Sequence, residues 1–365
     1  QTRRSEYAST PSGAFGAFCT LFLHPLFLKE NGMNNMNKLI NFLDQYNTVI
    51  FDLDGVITSE QAYWTAAALT VWELLRKREN IDPVWVMEHQ KEIRDEIFCS
   101  DRLITILKAK GVNSNWDLAY VAFALWSAYR TADAVLLAAE QFSDNILSEY
   151  DRVAALLKKE FPECDPVRNG ALWCTVQSCF QEWYLGDTVF METYGRTPDD
   201  PGKAGLCHGE EPLIRKDKLL EIFRLLKQSG KTLCTGTGRP YLEMKLPLQS
   251  FEIWEDFSPK SVICYSDVQK AERAFHKTLT KPHPFMFLKA YYGADYPEER
   301  ILENEKRHPD ALVVGDAGAD ILAAKAAGMD FCAVLTGVSG KAARGYFEET
   351  GADYILDSLE NFLED

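Results

Sequence analysis

The chain has no excess of basic residues: 39 lysines and arginines face 54 aspartates and glutamates, a formal net charge of −15. That balance argues against nucleic acid or an anionic membrane as partner, because both are held by basic surfaces. Closely paired cysteines are also missing. The nine cysteines are an odd number scattered through a large chain, which suits reduced thiols in a cytoplasmic protein better than a disulfide framework. The densest group, Cys164, Cys174, Cys179 and Cys207 beside His208, lacks the Cys-x2-Cys spacing of common zinc modules. Burial as small hydrophobes is the expectation for it. No internal repeat or low-complexity tract is present. Nor does any apolar stretch have membrane-spanning form. Ala14 to Leu28 is fifteen residues long and broken by His24-Pro25, short of the ~20 that a spanning helix needs. Thr2-Arg3-Arg4 ahead of it mimics a signal peptide, but no small-x-small cleavage site follows. Residues 1–35 are therefore expected to be an N-terminal extension, disordered or artefactual.

What is present is ordinary globular material, 46% hydrophobic and 25% charged over 365 residues, a length that favours two domains. Helical periodicity dominates a long middle stretch: Ala62 to Arg78, Val84 to Ile97, Ile104 to Lys110, Trp116 to Tyr129, Asp144 to Lys159 and Ala171 to Tyr184. Seven of the eight tryptophans fall there, most of them expected in core packing. Thr197-Pro198-Asp199-Asp200-Pro201-Gly202 to Glu211 reads as the loop leading out of this stretch. An amphipathic helix from Asn37 to Tyr46 is expected to precede the first strand.

That strand carries the most informative residues. Val49-Ile50-Phe51 ends abruptly in Asp52-Leu53-Asp54-Gly55. Apolar runs of this kind read as buried strands of a parallel sheet, whose ligands lie beyond the strands' carboxyl ends. Asp52 and Asp54 would stand at that rim, with Gly55 turning the chain away. Two carboxylates ~4 Å apart repel by about 4 kcal/mol at an effective dielectric near 20. A bound cation or a shared proton must offset this. A calcium loop is excluded, because the twelfth position from Asp52 is Tyr63 where a glutamate is needed.

Matching chemistry recurs three times, each at an expected strand end or an adjoining loop. Lys231 to Cys234 leads into Thr235-Gly236-Thr237-Gly238-Arg239-Pro240, where a hydroxyl and free N–H groups can hold a phosphoryl oxygen without adding bulk. Thr237 is the expected contact, with Thr235 the alternative in register. Lys281-Pro282-His283-Pro284 precedes a helical run from Phe285 to Tyr292 and presents Lys281 from a stiff turn. Finally Ala311 to Val314 leads into Gly315-Asp316, with Asp320 four residues on. Asp320 could equally be the N-cap of a helix from Ile321 to Ala327.

On these residues the sequence resembles the haloacid dehalogenase (HAD) superfamily. Asp52 and Asp54 match its first motif, Thr237 the second, Lys281 the third, and Asp316 with Asp320 the fourth. The resemblance covers about residues 36–59 and 212–365, including Ala323-Ala324-Lys325-Ala326-Ala327-Gly328. It implies an α/β, Rossmann-like core with a central parallel sheet over those segments. It makes residues 60–211 a large inserted α-helical cap over the active site. It also implies dependence on Mg²⁺ and an aspartyl-enzyme intermediate. Dehalogenases lack the second aspartate, phosphonate hydrolases usually carry alanine there, and transport ATPases read Asp-Lys-Thr-Gly-Thr. With Asp54 present, the phosphatase branch fits best.

The resemblance gives each residue a role. Asp52 is the expected nucleophile and Asp54 the general acid and base. Thr237, Gly238 and Lys281 are expected to bind phosphate. Asp52, the Asp54 carbonyl and Asp316 are expected to hold Mg²⁺. Asp320 is expected to position Asp316 or Lys281 rather than ligate metal by itself. Arg239 is a candidate substrate contact. The expected partner is a small phosphorylated metabolite, with no nucleic acid and no membrane. The alternatives are a phosphomutase of the β-phosphoglucomutase type and a regulatory phosphometabolite-binding protein with residual activity.

Overall fold

The computed structural model describes residues 43–112, 114–163, 165–303 and 306–363. The expected 1–35 extension, Cys164 and most of the helix expected over Asn37 to Tyr46 lie outside the described residues.

Six strands form one sheet: β1 (Thr48–Phe51), β2 (Thr232–Gly236), β3 (Val262–Ile263), β4 (Ala311–Gly315), β5 (Asp330–Val334) and β6 (Tyr354–Leu356). Their order is β3-β2-β1-β4-β5-β6 and every pairing is parallel. All four residues of β1 are buried, because both faces of the sheet are covered. Side-chain alternation divides them: Val49 and Phe51 join one core cluster, and Ile50 joins the other. The chain runs outward from β1 to β3, then returns to β4 on the other side of β1. That reversal opens a crevice beyond the carboxyl ends of β1 and β4, where doubly wound sheets bind their ligands.

Between β1 and β2 lies a helical unit. Its helices are α1 (Gln61–Leu75), α2 (Pro83–Glu88), α3 (Gln90–Ile97), α4 (Arg102–Ala109) and α5 (Asn115–Tyr129). They are followed by α6 (Ala132–Glu140), α7 (Tyr150–Glu160) and α8 (Ala171–Tyr194). The unit has its own core, into which Leu69, Phe123, Phe180 and Trp183 are fully or almost fully buried. Trp85 is an exception among the tryptophans, 44% exposed on α2.

Several boundaries differ from the periodicity. The helix expected over Val84 to Ile97 breaks at His89, between α2 and α3. Asp82 starts α2 by accepting from the Val84 and Trp85 N–H groups, with Pro83 at the first helical position. The one expected over Asp144 to Lys159 begins as a 3₁₀ turn at Ile146–Glu149. Helix α6 was not marked by the pattern at all. Helix α8 runs ten residues past Tyr184, with a break at Gly186, where φ is +70°. A Cβ at Gly186 would lie 2.6 Å from the Ala204 carbonyl oxygen. Close passage of the returning chain therefore requires glycine there.

The outgoing and returning segments of the helical unit run side by side. Thr58 forms an antiparallel bridge with Pro212, and the Leu213 N–H donates to the Ile57 carbonyl at 2.9 Å. The rest of the chain covers the sheet: α9 (Lys216–Gln228), α10 (Tyr241–Ser250), α11 (Tyr265–Phe275), α12 (Phe285–Tyr292), α13 (Glu298–Leu302), α14 (Gly318–Ala326) and α15 (Arg344–Thr350). Leu242 and Leu246 of α10 pack against the core of the helical unit. No helix among the described residues is long and apolar enough to cross a membrane.

Candidate active site

Asp52 directly follows β1, its N–H bound to the Val314 carbonyl of β4 at 2.9 Å. Asp316 directly follows β4, on the neighbouring strand. Asp320 lies in the first turn of α14, and its Oδ2 accepts the Ala317 N–H at 3.2 Å. It is the third residue of that helix, and the N-cap position falls to Ala317. Carboxylate oxygens of Asp52, Asp316 and Asp320 all lie within 4.8 Å of one another. Lys281 reaches them from the turn before α12. Its Nζ is 3.0 Å from Asp52 Oδ1 and 2.8 Å from Asp320 Oδ1.

Glycines make this crowding feasible. A Cβ on Gly55 would come within 2.2 Å of Asp316 Oδ2, and one on Gly337 within 1.8 Å of the same oxygen. Gly55 also has φ +77°, so it is required both by the turn and by the acid beside it. A Cβ on Gly315 would lie 2.7 Å from the Asp320 Cβ.

The charges are unbalanced. Burial pushes the Asp52 carboxyl up to about 7, against the lowering effect of Lys281 and with the help of Asp320 and Asp54. Burial also lifts Asp316 well above the usual carboxylate range, reinforced by Asp320, Asp52 and Glu60. Burial opposes the charge on Lys281, but Asp320 and Asp52 outweigh it and hold the ammonium above its ordinary value. Among the described residues no hydrogen bond reaches the Asp316 carboxylate. Three acids share one lysine, and Asp316, one of the three, has no donor among the described residues, which leaves a deficit of positive charge. Hard oxygen ligands of this kind suit a divalent cation such as Mg²⁺.

Asp54 is arranged differently. Its side chain faces Arg239, whose Nε lies 3.0 and 3.1 Å from the two carboxylate oxygens and whose Nη2 lies 2.6 Å from Oδ1. Thr58 Oγ1 donates to Asp54 Oδ1 at 3.0 Å. The two aspartates of the first motif are thus each given a separate cation, Lys281 for Asp52 and Arg239 for Asp54. Arg239, the candidate substrate contact, is thus turned toward protein groups. In this structure it is 1% exposed and engaged with Asp54, Glu210, Tyr184 and the Glu243 carbonyl.

Thr237 follows β2, one strand over from Asp52. It is buried, and its Oγ1 accepts the Arg239 N–H at 3.2 Å. Thr235 is occupied elsewhere, donating to the Ile263 carbonyl at 3.1 Å, which favours Thr237 of the two. Gly238 is exposed, with open space where a Cβ would stand.

Sequence reasoning missed Glu60, Glu210, Tyr184 and Gly337. Glu60 comes just before α1 and is held by Lys108 Nζ at 2.8 Å and Asn115 Nδ2 at 2.9 Å. Its position eight residues after Asp52 carried no signal of its own. Of the cysteines once weighed as metal ligands, Cys179 and Cys207 are buried and Cys174 is exposed.

The profile of a family described as HAD-hydrolase-like matches residues 278–362, a segment that contains Lys281, Asp316 and Asp320. Among solved structures, an X-ray structure of a Northeast Structural Genomics Consortium target is 28% identical, with a TM-score of 0.71. The alignment covers 86% of this chain and 97% of that one, helical unit included. A proposed phosphoglycolate phosphatase from Lactobacillus delbrueckii subsp. bulgaricus is 18% identical over 87% of this chain and 97% of its own, with a TM-score of 0.43. A proposed HAD hydrolase, YfnB of Bacillus subtilis, was solved with magnesium; it is 18% identical over 87% of this chain and 96% of its own, with a TM-score of 0.41. The last two are too distant to transfer a function. No protein of curated function matches the chain in sequence. In its sheet order, its four motifs and its match over 278–362 the chain resembles the hydrolases of the HAD superfamily.

Proposed function

We propose that the protein is a Mg²⁺-dependent phosphatase that hydrolyses a small phosphorylated metabolite through an aspartyl-phosphate on Asp52. One observation carries this reading: the nucleophile candidate Asp52 shares Lys281 with Asp320 beside an Asp316 carboxylate that has no donor. Mg²⁺ held by Asp52, Asp316 and the Asp54 carbonyl would keep Asp52 ionised and neutralise charge on the phosphoryl group.

The chain's own residues supply the rest. Lys281 holds Asp52 Oδ1, leaving Oδ2 without a hydrogen bond among the described residues. That carboxylate attacks phosphorus, a Cβ–COO–P bond forms, and the ester P–O bond breaks. Asp54 gives its proton to the departing oxygen. It then takes a proton from the water that attacks phosphorus, releasing phosphate and restoring Asp52. Thr237, the N–H groups about Gly238 and Lys281 hold the equatorial oxygens. Asp320 fixes Lys281 through the 2.8 Å contact. The helical unit lies over this edge of the sheet and serves as the cap of residues 60–211, so substrate choice belongs to it.

A panel of phosphate monoesters, incubated with and without Mg²⁺, tests the proposal. Phosphate should be released only with the metal, and Asp52→Asn should abolish release. An isomer in place of free phosphate would identify a mutase instead. Turnover that survives either chelation or Asp52→Asn would sink the mechanism.

A further inference from the structure

The Arg239 guanidinium lies where three parts of the molecule meet. It extends from the turn between β2 and α10. Besides its forked contact with Asp54, its Nη1 reaches Glu210 Oε2 at 3.0 Å, Tyr184 Oη at 3.2 Å and the Glu243 carbonyl at 3.0 Å. Nη2 also approaches the Ser59 carbonyl at 3.5 Å. Ser59 belongs to the segment leaving the sheet for the helical unit, and Glu210 belongs to the segment returning. Tyr184 lies on α8 and donates to Glu210. Tyr63, on α1, stacks on Tyr184 at 4.3 Å and lies under the guanidinium at 4.7 Å.

We propose that Arg239 is a positioning residue: its guanidinium sets the plane of the Asp54 carboxyl for proton transfer, and its contacts with Glu210, Tyr184 and Ser59 tie that setting to the seating of the helical unit. The inference rests on the acid–base role given to Asp54 above. Glu210 alone, also buried, would balance the arginine's charge, so charge does not require the contact with Asp54. The fork does something else. Two N–H groups on one rigid plane fix both the distance and the rotation of a carboxyl, which a lysine cannot do. The Asp54 side chain is 26% exposed and among the described residues has only Thr58 as a further side-chain partner, so without the fork it would be free to rotate. A displacement of the helical unit that moved Glu210 or Tyr184 would pull on the same guanidinium. Asp54 is then correctly aimed only when the unit is seated.

The test uses the full-length protein and two esters: an alkyl phosphate, whose leaving oxygen needs a proton, and 2,4-dinitrophenyl phosphate, whose leaving group does not. The Arg239→Gln/Glu210→Gln double variant removes the guanidinium without leaving Glu210 as an unpaired buried acid. It should lose about 10²-fold in kcat on the alkyl ester and less than about threefold on the dinitrophenyl ester. Tyr184→Phe keeps the ring and removes one hydrogen bond. It should lower kcat on the alkyl ester by about threefold to tenfold, leave the dinitrophenyl ester unchanged, and unfold at nearly the parental temperature. Equal losses on both esters, in either variant, would show a general structural role and overturn the inference while leaving the phosphatase reading intact. Absence of Mg²⁺-dependent hydrolysis of both esters by the parent protein would overturn the phosphatase reading, and the inference with it.

Discussion

Two clusters in this molecule place two carboxylates around one lysine. At the sheet edge they are Asp52, Lys281 and Asp320; inside the helical unit they are Glu73, Lys203 and Glu182. In the second, Lys203 Nζ lies 2.7 Å from Glu182 and 3.1 Å from Glu73, with all three side chains fully buried. Each has a further acid within 4.8 Å, Asp316 in one and Asp200 in the other. The surroundings separate them. Trp183 Nε1 donates to Glu73 at 2.8 Å, the Asp199 N–H donates to Glu182 at 3.0 Å, and Arg78 brings a second cation 2.8 Å from Asp200. That cluster sets two cations, Lys203 and Arg78, against its three acids, with Asp200 Oδ2 met by Arg78 as an ion pair rather than a hydrogen bond, and it pins the loop around 199–203 to α1 and α8. Among the described residues the sheet-edge cluster has one cation, Lys281, for its three acids, and no hydrogen bond reaches Asp316. The two clusters differ in charge balance, and an excess of clustered acids over cations is costly unless a ligand supplies the missing charge.

This contrast can be tested by disturbing each cluster in turn. Asp52→Asn should reduce phosphate release by on the order of 10⁴-fold or more with little change in unfolding temperature; appreciable residual turnover would remove the distinction. Lys203→Met should do the opposite, costing about 3–5 kcal/mol of stability by leaving the buried Glu182 without its cation and Glu73 with only Arg78 at 3.6 Å. Activity per folded molecule should stay near parental, as read by denaturant unfolding alongside an assay.

Added Mg²⁺ should stabilise the parent by about 2.7 kcal/mol at a hundredfold excess over its Kd. Asp316→Asn should lose that response and unfold at a higher temperature than the parent in the absence of metal. The sign follows from the raised carboxyl: near neutral pH the folded state carries a penalty for ionising Asp316, and asparagine removes it. Glu73→Gln should leave the Mg²⁺ response unchanged. The smallest effect concerns Glu243, which burial pushes up to about 7, opposed by Tyr63, Gln181 and Arg239. Between about pH 4.5 and 7 the folded state binds more protons there than the unfolded one, so rising pH lowers stability. Glu243→Gln should flatten that slope by about 1 kcal/mol per pH unit, measurable as the pH dependence of Tm.

The sheet and the acids of the candidate site were legible because the signal is local. An apolar run that ends in acid or glycine marks β1 and β4, and Asp52, Asp54 and Asp316 sit where those runs stop. Lys281 was legible from its turn, and the helix from Phe285 to Tyr292 has the expected limits. What escaped depends on residues far apart in the chain. The Arg239–Glu210 pair and the Gly337 approach to Asp316 join positions that no short pattern connects. The Gly186 break is likewise set by a chain segment passing close to it, so periodicity through Ala171 to Tyr184 could not reveal it. Helix α6, rich in alanine and leucine with Val135, Leu136, Ala138 and Ala139 buried, offered too little polar contrast to stand out.

The side-by-side passage of the two connecting segments bears on how the chain folds. Strand β1 pairs with β2 in a register that joins Thr48 to Thr232, so an unstructured connection would have to close a loop of the whole intervening chain. For roughly 180 residues that entropy is about 5 kcal/mol. Once the helical unit has formed, with Thr58 against Pro212 and Ile57 against Leu213, the two strand segments emerge as neighbours and most of that cost has already been met by local helix packing. The sheet is therefore expected to assemble after the insert rather than around it. Lys203→Met, which weakens only the helical unit, should slow refolding of the β-sheet as followed by stopped-flow circular dichroism.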